Sequence, residues 1–148
     1  MLKVVKVPPE TVRPLRHKVL RPSLPFDTSC LSSDHDDGAY HFAVLDDETI
    51  MSVASAYYEL FAEFPGRDAF RLRGMATEPE QQGKGFGSKV LDGMVSYLQR
   101  HTKAQLLWCN ARVSVIGFYE KMGFEIIGKE FDIPNLGSHK TGYFELKE

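Results

Sequence analysis

The stretch GMATEPEQQGKGFGSKVLDGM, Gly74–Met94, decides how the chain is read. Gly83, Gly85 and Gly87 alternate, Lys84 stands between the first two, and an amphipathic run follows at once. Phe86, Val90, Leu91, Met94, Val95 and Leu98 recur at helical spacing, which predicts a helix from about Gly85 to His101. Upstream, Ala69 to Thr77 reads as a strand, with Phe70, Leu72, Gly74 and Ala76 on one face and Arg71, Arg73, Met75 and Thr77 on the other. The glycines therefore sit between a strand and a helix. Alternating glycines let backbone N–H groups converge without interference from Cβ atoms. The helix start adds its own unpaired N–H groups and the positive end of its dipole. Together they make an anion site suited to phosphate oxygens, with the Lys84 charge at its rim and the Ser88 hydroxyl beside it. A flexible loop turning into a helix is the plainer alternative, but such a turn needs one glycine rather than three.

Two nucleotide motifs fail on this stretch. A P-loop requires Ser or Thr directly after its lysine, and Lys84 is followed by Gly85. A dinucleotide fingerprint requires a third glycine at position 88, which is serine.

The remainder of the chain supplies the setting. Leu2 to Val7 reads as a strand ended by Pro8-Pro9, and Thr11 to Leu20 as a helix stopped by Pro22 and Pro25. Phe26 to Gly38 reads as a loop, with the run Asp34-His35-Asp36-Asp37 as solvated acidic surface rather than a metal site. Tyr40 to Leu45 and Thr49 to Phe61 form a hairpin of strands. Gln105 to Cys109 is a short buried strand, Val113 to Met122 a helical pattern closed by Gly123, and Phe124 to Ile133 and His139 to Leu146 two last strands. The order β-α-β-β-β-α-β-α-β-β predicts one mixed α/β domain over residues 1–148. A chain of 148 residues, 43% hydrophobic and 26% charged, can bury a core without disulfide or metal staples. The net charge of −2 argues against a broad nucleic-acid surface. Cys30 and Cys109 match no zinc spacing, and reduced thiols in a cytoplasmic setting are expected. No apolar run approaches the length of a membrane span.

Gln82-Gly83-Lys84-Gly85-Phe86-Gly87, after a strand ending Met75-Ala76-Thr77, resembles the coenzyme A pyrophosphate loop of the GCN5-related N-acetyltransferases, the GNAT superfamily. Gly117-Phe118-Tyr119-Glu120-Lys121-Met122-Gly123-Phe124 resembles a second segment of that superfamily, and the order of elements is similar too. The tail from Asn135 to His139 is similar to the small bacterial ElaA-like branch.

The resemblance implies a mostly antiparallel sheet flanked by helices, with a splayed central strand pair. It implies acetyl-CoA as cosubstrate and no metal. It places the pantetheine arm along Met75, Ala76 and Thr77 and near Asn110 and Phe118, and the pyrophosphate on Gln82, Gly83, Lys84, Gly85, Phe86, Gly87 and Ser88. It makes Tyr119 the acid that protonates the leaving thiolate. The expected reaction moves an acetyl group to a primary amine, on a small molecule or a protein, by direct attack in a ternary complex. The alternative is a noncatalytic acyl-CoA sensor on the same fold. A homodimer is left open. Glu59, His41 and water are the candidate bases. The acceptor groove is expected from the first helix, the Phe26–Gly38 loop and the last two strands, with the acidic run hinting at a cationic acceptor. One departure from the family pattern is Arg112, which stands seven residues before the tyrosine where many members carry asparagine.

Overall fold

The computed structural model describes residues 1–147. Strands β1 (Leu2–Val7), β2 (Ala39–Asp46), β3 (Thr49–Tyr58), β4 (Ala69–Thr77), β5 (Leu106–Arg112), β6 (Glu125–Ile133) and β7 (Gly137–Glu145) form one sheet in the order β1-β2-β3-β4-β5-β7-β6. Every pairing is antiparallel except β4 with β5. Helix α1 (Pro9–Leu20) lies on one face with Val12 and Leu15 packed on Ala43, Val53 and Ala76. Helix α2 (Phe86–His101) lies on the other, burying Val90, Leu91, Met94 and Leu98 against Phe42, Phe70, Leu72 and Leu107. The short α3 (Ile116–Lys121) follows β5 through a 3-10 turn at Val113–Val115 and brings Tyr119 into the same core. The expected helix from Val113 thus tightens into 3-10 geometry in its first turn.

The parallel pairing is brief. Ala69, Phe70 and Arg71 stand opposite Leu106, Leu107 and Trp108, after which β4 continues to Thr77 and β5 to Arg112 without pairing to each other. This is the splayed pair expected from the resemblance. Strand β3 ends at Tyr58, not at Phe61. Phe61 is buried, but from a turn, where its ring stacks on Trp108 with centroids 5.0 Å apart.

One expectation about β4 is overturned. Arg73 pairs with Ser55 and Ala76 with Val53, so Gly74 and Met75 together stand opposite Ala54. This is a β-bulge with glycine at φ +65°. It reverses the alternation: Phe70 and Leu72 face α2, while Ala76 faces α1. A Cβ at Gly74 would lie 2.6 Å from Arg16 Nε. Arg16 is itself fixed, donating to Ser29 O (2.7 Å), Asp34 Oδ2 (3.0 Å), Ser55 Oγ (3.0 Å) and Tyr57 Oη (3.1 Å). Gly74→Val therefore faces a left-handed backbone and a guanidinium that cannot move aside. We expect it to lose about 3 kcal/mol of stability by urea unfolding. A loss under about 1 kcal/mol would show that the bulge relaxes.

The acidic run is also not what its composition implies. Asp34 is 2% exposed and accepts hydrogen bonds from Arg13, Arg16, Tyr57 and the Leu31 amide. Burial alone would raise its pKa, but the hydrogen bonds and charge of its partners prevail and hold it below the usual carboxylate value. Asp34 is thus a clamp between α1 and the sheet, with no charge left over for a cationic acceptor. Only His35, Asp36 and Asp37 remain exposed.

Candidate active site

The splay of β4 from β5 opens a cleft of about 640 Å³. One side is the inner edge of β4, where Met75, Ala76 and Thr77 line the opening. The bulge takes the backbone beside Met75 out of the β3 ladder, and the splay removes β5 from its other edge. That edge is therefore free to pair with an extended guest.

The glycine loop closes one end. Gly85 has φ +88° and Gly83 φ +81°, both left-handed, and a Cβ at either would meet nothing within 4 Å. The first helical hydrogen bond of α2 runs from Lys89 N–H to Gly85 O at 3.1 Å. The N–H groups of Phe86, Gly87 and Ser88 precede that bond and have no backbone acceptor among the described residues. Gln82, Gly83, Gly85, Phe86, Gly87 and Ser88 all border the cleft. Two expected contacts need adjustment. The Phe86 side chain is buried in the α2 core, so what it offers the loop is its amide. Lys84 stands outside the cleft wall, its Nζ donating to Gln81 Oε1 at 3.1 Å.

Tyr119 and Phe118 line the floor. Tyr119 is 7% exposed, and its ring meets Phe118 and Phe124 edge-on with centroids 5.3 Å away in each case. Its hydroxyl has a single partner among the described residues, Met75 Sδ at 3.6 Å. Burial pushes its pKa far above the usual tyrosine value, so the hydroxyl keeps its proton. Cys109 lines the same space as a free thiol, lifted by burial to about 12. Asn110 borders the cleft with its Oδ1 held by the Thr141 hydroxyl at 2.8 Å.

The candidate bases do not gather here. Glu59 lies outside the cleft wall, ion-paired to Arg71 Nη1 at 3.3 Å. His41 is buried between Ser55 Oγ (2.7 Å from Nδ1) and the Asp34 carbonyl (2.9 Å from Nε2), again away from the cleft. Arg112 donates to Leu20 O at 2.6 Å, tying β5 to the end of α1. The groove beside Tyr119 is walled by Val19, Leu20 and Arg21 at the end of α1 and by Ile133, Leu136 and His139 around the β6–β7 turn; the Phe26–Gly38 loop takes no part.

His139, Arg71 and Arg73 are cleft residues that sequence reasoning did not select. His139 Nδ1 donates to Gly137 O at 2.8 Å, and Nε2 has no hydrogen-bond partner among the described residues. The available signal was the alternation of β4, which places both arginines on one face.

The profile of the acetyltransferase (GNAT) family matches residues 10–124. The chain belongs to the GNAT family. It is an acetyltransferase. A Bacillus subtilis (strain 168) protein named uncharacterized N-acetyltransferase YitI is 34% identical over 147 residues, covering 99% of this chain and 98% of its own. The fold is similar to that of a putative N-acetyltransferase from Lactobacillus plantarum (TM-score 0.78, 14% identity, 99% of each chain). It is also similar to a chimera of the Vibrio cholerae spermidine N-acetyltransferase SpeG with hSSAT (TM-score 0.72, 20% identity, 98% of this chain and 95% of that one). Among the described residues no helix is long and apolar enough to cross a membrane, and no three His, Cys, Asp or Glu side chains cluster as a metal site.

Proposed function

We propose that this GNAT acetyltransferase moves an acetyl group from acetyl-CoA to a primary amine by direct attack in a ternary complex. The observation that carries the reading is the continuity of the cleft. A free strand edge at Met75–Thr77 runs from the buried Tyr119 hydroxyl to the open amides of Phe86, Gly87 and Ser88. An extended pantetheine arm ending in a pyrophosphate requires those features in that order. The β4 edge pairs with its amides, the glycine loop and the α2 N-terminus receive its phosphates, and Asn110 and Phe118 border the arm. Lys84, outside the wall, adds charge at the rim.

The chemistry forms a C–N bond and breaks a C–S bond. The backbone N–H near Met75, out of the β3 ladder, stabilises the tetrahedral oxyanion. Tyr119 supplies the proton for sulfur. A tyrosine with so high a pKa is a poor donor to a thiolate in water. The cleft alters both partners, because the burial that lifts the Cys109 thiol to about 12 makes any thiolate there more basic.

Acetyl-CoA at about a hundred times its dissociation constant adds about 2.7 kcal/mol to the native state. For a chain of this size we expect the melting temperature to rise by about 5–10 °C. No shift with millimolar acetyl-CoA or CoA overturns the reading.

A further inference from the structure

The proposed donor accounts for part of the cleft lining. The rest carries an unusual charge balance. Arg21, Arg71, Arg73 and Arg112 all line it, and among the described residues the cleft wall contains no Asp or Glu. Arg71 has a carboxylate partner, Glu59, which stands outside the wall and is 45% exposed, so solvent screens the pair. Arg71 Nε is buried with no hydrogen-bond partner, and its guanidinium lies 4.9 Å from the Trp108 ring centre. Arg21 and Arg112 donate to the carbonyls of Thr28 (2.8 Å) and Leu20 (2.6 Å), which fix their positions without cancelling their charge. Arg73 makes no hydrogen bond or ion pair among the described residues, although it is half-buried on β4 two residues before Met75. Burial, then the charge of Arg71, drives its pKa below the ordinary guanidinium value; an arginine keeps its proton in proteins all the same. A half-buried guanidinium that borders the cleft and has no anion beside it is free to take one from a ligand.

We propose that the acceptor is a primary amine carrying its own anionic group, a carboxylate or phosphate, which Arg73 and Arg71 grip while the amine faces the thioester. The proposal rests on the acetyltransferase reading and names its substrate class. A polycation would enter a wall that is already positive and find no carboxylate to pair with. The planar forks of the two arginines suit carboxylate or phosphate oxygens. The same positive field favours the neutral form of the bound amine, since like charge disfavours an ammonium. An attacking amine is thus prepared even though Glu59 and His41 stand elsewhere.

The test is a panel of amines with acetyl-CoA, read by product mass, together with calorimetric binding of each amine to the CoA-saturated protein. The panel holds glutamate for the carboxylate, glucosamine 6-phosphate for the phosphate, glucosamine as the counterpart without an anionic group and spermidine as the polycation. We expect transfer to one of the anionic amines and not to spermidine, and the better of the two identifies the anion. In Arg73→Gln the KM for that amine rises about 30-fold while CoA affinity stays within about threefold. Arg73→Lys recovers part of the loss, because it keeps the charge but not the fork. Preference for spermidine or glucosamine overturns the proposal, as does the absence of both binding and transfer with the anionic amines. An equal loss of CoA affinity in Arg73→Gln also overturns it, by assigning the arginine to the coenzyme phosphates. Anion binding that requires Arg73 without any transfer preserves the subsite and overturns the transferase reading instead.

Discussion

Gly85→Asp is expected to weaken coenzyme A binding by about a thousandfold while leaving the protein folded. The position tolerates the side chain: a Cβ there meets nothing within 4 Å, and aspartate enters the left-handed region more readily than most residues. The backbone at φ +88° costs something, but the residue caps a long, well-packed helix. What the substitution changes is charge. A carboxylate at the head of α2 would lie among the open amides of Phe86, Gly87 and Ser88 and occupy them itself. An incoming pyrophosphate would then meet a negative charge where it needs donors. Two unit charges about 4 Å apart at an effective dielectric constant of about 20 repel by about 4 kcal/mol, which is about a thousandfold in affinity. Gly85→Ala separates the two effects, since it keeps the backbone strain and adds no charge. We expect it to lose about tenfold at most. Isothermal titration with CoA, alongside melting curves, distinguishes these cases. If the aspartate variant binds CoA within about threefold of the parent, the phosphates lie somewhere other than this loop.

That loop was legible because its signals are local. Three alternating glycines and a 3.6-residue stripe from Phe86 to Leu98 lie within a short span, and neither depends on what another segment does. The bulge at Gly74 is different. It exists only in the register of β4 against β3, and period-two reading carries Ala76 to the wrong face as a result. Asp34 shows the same dependence for charge. Within its own segment it is one acid among several, and its burial follows from Arg13 and Arg16 on α1, 21 and 18 residues away, and Tyr57 on β3. The arginine wall combines both kinds of signal. The alternation of β4 puts Arg71 and Arg73 on one face, but their meeting with Arg21 and Arg112 requires the strands to part and α1 to end beside them. Sequence periodicity reports which face a residue takes; it does not report what the opposite wall contains.

Tyr119→Phe is expected to reduce kcat by about a hundredfold without weakening coenzyme binding or the fold. The tyrosine ring is core: it packs edge-on against Phe118 and Phe124, and phenylalanine keeps both contacts. The hydroxyl contributes little to stability, because its sole partner among the described residues is a thioether sulfur at 3.6 Å, a weak acceptor. Burying a hydroxyl so poorly satisfied costs free energy, so its removal should leave the melting temperature unchanged or raise it. A group retained for packing alone would follow that trend and leave turnover intact. If the hydroxyl instead delivers a proton to the departing sulfur, its loss forces a thiolate to leave uncompensated in a buried site. General-acid assistance of this kind is worth about 100-fold or more, or about 2.7 kcal/mol of barrier. The deficit should depend on the leaving group, shrinking for an acetyl thioester of a more acidic thiol, which departs with less help. It should appear in kcat, with CoA affinity within about threefold. Equal single-turnover rates for variant and parent would return Tyr119 to core packing. The acetyltransferase would then release its thiolate without an acid from the protein, and the contact with Met75 would be structural only.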